Sequence, residues 1–140
     1  MMSVSSYQFL MVMLVYLHGY EDDPEVGELK IIAFIDTVND AKQGNRVFGN
    51  DDNANFLIAT TPNKLVANFL EGYMKATREK YDMKTGQRKI KEKLIAILTH
   101  ELNMDEETLL QQCSRAKGIA DLMTNGIHIT TNDTGGETNG

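Results

Sequence analysis

Any chemistry in this chain would have to come from three histidines, one cysteine and two clusters of charge. His18, His100 and His128 stand far apart. None falls in the H-x-x-x-H or H-E-x-x-H spacings that bring two imidazoles to one face of a helix for zinc. Cys113 lies on an apolar stripe with no histidine beside it on its helix, so it reads as a core thiol and not as a nucleophile. No Gly-rich phosphate loop of either standard spacing occurs. The acidic cluster, "YEDDPEVGE", gathers Glu21, Asp22, Asp23, Glu25 and Glu28, oxygen donors of the kind a hard cation takes. The basic cluster, Arg88, Lys89, Lys91 and Lys93, could grip phosphates or simply solvate a helix. No catalytic residue, cofactor site or defined metal-ligand set emerges, and the chain reads as a non-enzyme.

After the basic cluster comes "LTHELNMDEETLLQQ", Leu98 to Gln112, a helix, a tight turn and a second helix. With Thr99, Asn103 and Leu109 at its key places, the stretch 94–117 resembles the helix-turn-helix of many bacterial regulators. Asn103 would take the left-handed turn that glycine usually supplies, over an interior of Leu98, Leu102, Met104 and Leu109. The resemblance implies a DNA-binding regulator. Arg88, Lys89, Lys91 and Lys93 would hold the backbone, and Gln111, Ser114 and Arg115 would lie on the reading helix. Asp105, Glu106 and Glu107 depart from what a reading helix presents to phosphate, and suit an ordinary helix N-terminus.

Two further stretches bear on metal. "DDNANFLIATTP" is similar to the first half of an EF-hand loop, with Asp51, Asn53 and Asn55 at ligand places. Phe56 replaces the sharp-turn glycine and Pro62 the closing glutamate, so calcium is not expected. The acidic turn 21–28 resembles that of tellurite-resistance B-like helical domains, without their Asp-Gly pair. That resemblance implies a metal-binding helical domain. A lone "HIT" at His128 matches one half of a two-histidine phosphodiesterase pattern, and no second half occurs.

The elements that would position these residues follow from periodicity. At 140 residues and 41% apolar content, one compact domain is expected. Residues 5–20 are apolar nearly all round, which requires burial on most sides, either as a core helix or as an oligomer seam through Phe9, Leu10, Met13, Leu14 and Leu17. Pro24 opens a second helix with a stripe of Leu29, Ile32, Ala33, Ile35 and Val38, although 31–35 alone could be a strand. Gln43 to Asn55 reads as a loop. Thr60 or Thr61 with Pro62 starts a third helix, through Leu65, Val66, Phe69, Leu70, Tyr73, Met74 and Tyr81, broken by 82–86. A fourth carries Ile90, Leu94, Ile97, Leu98 and Leu102. Asp105 caps a fifth, through Leu109, Cys113, Ala116, Ile119, Ala120, Leu122 and Met123, which Asn125 and Gly126 should end. The expected fold is all-α, a single-domain bundle of about five helices over residues 1–126. Residues 127–140 are expected to form a flexible polar tail with a short strand at 127–130.

Charge and composition narrow the partners. Residues 1–74 carry four basic and ten acidic side chains, whereas 75–117 carry ten basic and seven acidic. Such a body can hold nucleic acid locally but steers polyanions weakly from a distance. No Lys or Arg precedes the nine-residue apolar run Phe9 to Leu17, and a spanning helix needs about 20 such residues, so neither export nor a membrane role is expected. A single cysteine favours a reducing compartment, the cytoplasm. Eight methionines, several near the N-terminus, offer an adaptable contact surface. The leading expectation is a small non-catalytic regulatory or adaptor protein, a homo-oligomer that also meets another protein. The alternatives are the DNA-binding regulator and, after it, the metal-binding domain.

Overall fold

Every element among the described residues is helical, and the elements pack together as one bundle. The computed structural model describes the backbone of residues 2–132 and the side chains of residues 2–124. Among the described residues six α-helices follow in order: α1 (Val4–Gly19), α2 (Pro24–Lys42), α3 (Asp52–Ala59), α4 (Asn63–Met74), α5 (Met83–Leu102) and α6 (Glu106–Asn132). A π-helical turn, Lys75–Lys80, continues α4.

The apolar first helix is the centre of the bundle, packed against α2, α3, α5 and α6. Ser3 caps it by accepting the Ser6 N–H. Around α1 lie Ile31, Phe34 and Val38 of α2, Leu98 of α5, and Leu109 and Cys113 of α6, all 2% exposed or less. Phe9 meets Phe34 at 6.3 Å between ring centroids and Phe69 edge-on at 5.7 Å. Burial lifts the Cys113 thiol to about 11, which keeps it a protonated core group.

Segment 31–35 is helical, but the buried stripe of α2 is offset from the expected one. Ile31, Phe34, Ile35, Val38 and Ala41 face inward, and Leu29 is 69% exposed. The expected loop 43–55 is shorter than read, because Asp51 accepts the Ala54 N–H and caps α3. Asn55, inside that helix, accepts the N–H groups of Val47 and Phe48 and closes the preceding turn. Asp51 and Asn55, two of the three residues that resembled calcium ligands, build the start of this helix. The expected break at 82–86 is narrower too. Asp82 accepts the Thr85 N–H at 2.9 Å and starts α5 at once.

Tyr81, expected on the stripe of the third helix, is instead 41% exposed where the π-helical turn ends. At the other end, α6 passes through Asn125 and Gly126 to Asn132, replacing both the expected stop and the short strand at 127–130. An interior glycine costs a helix about 1 kcal/mol against alanine and does not by itself end it. The remainder of the expected tail, 133–140, lies outside the described residues.

Candidate functional site

The five residues expected to form an oligomer seam are not on the surface. Phe9, Leu10, Met13, Leu14 and Leu17 are at most 3% exposed within the single chain. The chain's own helices cover these five side chains, while Gln8, Met11 and Val12 of the same helix reach the surface. The sequence dictates that this helix be buried; it does not say by what.

The apolar surface that does reach solvent lies between α1, α3 and α6. A groove of about 320 Å³ has Phe9, Val12 and Phe34 as its floor, Ala54, Leu57 and Ile58 of α3 as one wall, and Ile119 and Met123 of α6 as the other. Phe48 also lines it, and Gln8, Asp51 and Thr61 supply its polar groups. In its α6 wall Ile119 is 67% exposed, and Leu122, three residues further along α6, is 70% exposed. Large side chains held this far into water beside an apolar hollow mark a contact surface more strongly than scattered ones do.

Both walls are fixed by polar contacts. Ser5 donates to the Thr60 carbonyl at 3.1 Å, and the Lys42 ammonium donates to the Thr61 carbonyl, which together hold the end of α3 against α1 and α2. On the α6 side the buried Tyr16 hydroxyl donates to the Ala120 carbonyl at 2.6 Å, one residue from Ile119. Tyr20 donates to Asp121 at 2.7 Å, Lys117 bonds the same carboxylate at 3.1 Å, and Lys30 lies 3.6 Å from it. Burial pushes the Asp121 carboxyl up, but the Tyr20 and Lys117 hydrogen bonds and the Lys30 charge outweigh it and hold the group below the usual carboxylate range. The groove is therefore a preformed apolar hollow between two braced helices, suited to receiving apolar side chains.

The helix-turn-helix outline is present in shape. Asn103 is left-handed (φ 51°) between α5 and α6, Leu98 and Leu109 are fully buried beneath it, and Thr108 donates its N–H to Asp105 at 2.8 Å. The phosphate-gripping set, however, is divided. Arg88 and Lys91 line a cleft with Glu21, Glu92 and Glu106, where Lys91 pairs with Glu21 at 3.0 Å. Lys89 and Lys93 turn the other way, toward the π-helical turn. Gln111, Ser114 and Arg115 are exposed on α6, following the exposed carboxylates Glu106 and Glu107.

The acidic turn is dispersed. Glu21 serves Lys91, while Glu28 pairs with Arg78 at 2.5 Å and lies 3.5 Å from the Tyr73 hydroxyl. Among the described residues no three His, Cys, Asp or Glu side chains converge as a metal would require. His18 is 3.6 Å from Glu21, and among the described residues its Nδ1 has no hydrogen-bond partner. His128 lies beyond the described side chains. Among the described residues no helix is long and apolar enough to cross a membrane.

The chain matches no protein-family model, no curated protein and no solved structure.

Of the groove residues, Phe9 alone is marked as an interface residue by the sequence. Phe48, Leu57 and Ile58 sit in or beside a stretch whose Gly, Asn and Asp content reads as loop, and Ile119 and Leu122 were absorbed into the core stripe of α6. A usable signal was the breadth of that stripe: Ile119, Ala120, Leu122 and Met123 span too wide an arc for one buried face.

Proposed function

We propose that the protein is a non-catalytic regulatory or adaptor module acting through protein contacts, and that the groove between α1, α3 and α6 is its contact surface, occupied by the same surface of a second copy. The observation that carries this reading is the adjacency of knob and hollow: Ile119 lines the groove yet is 67% exposed, and Leu122, three residues further along α6, is 70% exposed. A twofold axis pairs one patch with itself, so a patch holding both a projecting apolar ridge and an apolar hollow is self-complementary. A second protein carrying an apolar helix could use the same hollow, which accounts for the adaptor role. The single buried cysteine suits a reducing compartment such as the cytoplasm.

Fully burying one leucine or isoleucine contributes about 1.5–3 kcal/mol. Leu122 counts twice in a twofold interface, so its loss weakens a dimer on the order of a hundredfold. Sedimentation equilibrium of the wild type and of the Ile119→Glu, Leu122→Glu double variant tests the reading. A dimer is expected for the first, and a folded monomer with unchanged circular dichroism for the second. A monomeric wild type, or an unchanged dimer in the variant, overturns it.

Duplex reading through α6 is the alternative. It has the Asn103 corner in its favour, and against it the divided lysines and the carboxylates at the start of α6.

A further inference from the structure

A second cleft, sharing no lining residue with the groove, runs between the π-helical turn and α5 and encloses about 490 Å³. Lys75 and Lys80 come to it from one element and Lys89 and Lys93 from the other, with Glu92 the one carboxylate in its lining. Two of the four are partly satisfied: Lys75 pairs with Glu71 at 3.3 Å, an exposed contact, and the Lys89 ammonium lies 5.3 Å from the Tyr81 ring centroid. Among the described residues neither Lys80 nor Lys93 has a carboxylate at ion-pair distance. In a chain of net charge −6, four lysines gathered on one hollow with so little compensation form a local repulsion that an anion would relieve.

The backbone enforces this convergence. Tyr81 donates its N–H to the Ala76 carbonyl at 3.2 Å, five residues back, closing the π-helical turn and leaving the Tyr81 ring at the cleft mouth. Gly86 lets α5 approach. A Cβ there would stand 2.4 Å from the Ala76 carbonyl oxygen, so no other residue fits while the two elements remain this close. Turns of π-helix are often retained where a site needs them.

We propose that this cleft binds a nucleotide, its phosphates held by Lys80, Lys93, Lys75 and Lys89 and its base stacked on Tyr81. Lysines recognise phosphate as point charges, and an exposed tyrosine gives a base a stacking face. The cleft is of the size that small-molecule sites have, about 300–1,000 Å³. The nucleotide can be free or part of a single strand, since both present the same phosphate and base.

Calorimetric titration of the full chain at low salt, without divalent metal, uses three probes: adenosine triphosphate, inorganic tripolyphosphate and a short oligothymidylate. The nucleotide is expected to bind at least tenfold more tightly than tripolyphosphate. The double variant Lys80→Gln, Lys93→Gln should weaken it tenfold or more, and Tyr81→Ala should bring it down to the level of tripolyphosphate. Tighter binding of the oligothymidylate assigns the strand as source, and tighter binding of the free nucleotide assigns that. Removing the same charge elsewhere, by Lys64→Gln with Lys84→Gln, should leave binding unchanged. No binding of any probe, equal binding of nucleotide and tripolyphosphate by the wild type, or equal weakening by the remote pair overturns the proposal.

Discussion

Leu14 shows what a single residue contributes here. It is wholly buried in the middle of α1, and its truncation to alanine removes both transfer energy and packing, at a cost of about 2–5 kcal/mol. Urea denaturation should show that loss as a lower midpoint with an unchanged slope, and the oligomeric state of the folded fraction should not alter, because Leu14 meets no second copy. His18 should make the stability of the fold depend on pH near neutrality. Burial first, then the nearby Lys91 charge, hold its imidazole below the ordinary range, against a smaller opposing pull from Glu21. The unfolded chain takes up a proton near pH 6.5, before the folded chain does, so stability is full above that pH and falls as pH drops toward the folded value. Denaturation midpoints between pH 7 and 5 should decline in the wild type and decline less in His18→Gln. An equal decline in both would assign the loss to other groups.

At the scale of elements, the helix ends with a specific stereochemical demand were the most legible part of the sequence. Asn103 was expected in the left-handed region and is found there, at φ 51°. A left-handed conformation costs an ordinary L-residue about 1–2 kcal/mol, so Asn103→Ala should lower stability by about 1 kcal/mol while Asn103→Gly leaves it nearly unchanged. Thermal melts of the two variants check this, and the opposite order would contradict the turn. Pro24 and Asp105 likewise mark helix starts that the structure keeps. The helix that escaped notice, α3, is short and built by side-chain caps. Its Asp51 and Asn55 are residue types that serve loops and caps equally, and only the bonds to Ala54, Val47 and Phe48 separate the two uses. Gly86 misled for a related reason. It reads as a helix breaker, yet it sits inside α5 where another backbone passes close.

For the whole molecule, the fold class followed from periodicity, and the contact surface did not. An apolar helix such as α1 announces burial, but whether its own chain or a second copy supplies the cover depends on long-range packing that no local pattern encodes. The candidate surface consists of apolar residues left over once α1 has been covered: Ile119 in the groove wall and, further along α6, the exposed Leu122. The basic segment reads differently in three dimensions as well. Arg88, Lys89, Lys91 and Lys93 part to two sides of α5, and two of the four join Lys75 and Lys80 from another element.

The central claim, that the ridge of one copy enters the hollow of another, is tested most directly by complementation. Leu122→Glu breaks the ridge, and Ala54→Glu places a charge in the α3 wall of the hollow. In a twofold dimer either change spoils both contacts, whereas a mixed pair keeps one intact ridge in one intact hollow. Sedimentation equilibrium should find each variant monomeric alone and a dimer in their equimolar mixture, weaker than that of the wild type. A mixture that stays monomeric while the wild type dimerises, or a wild type that never dimerises, would contradict the account.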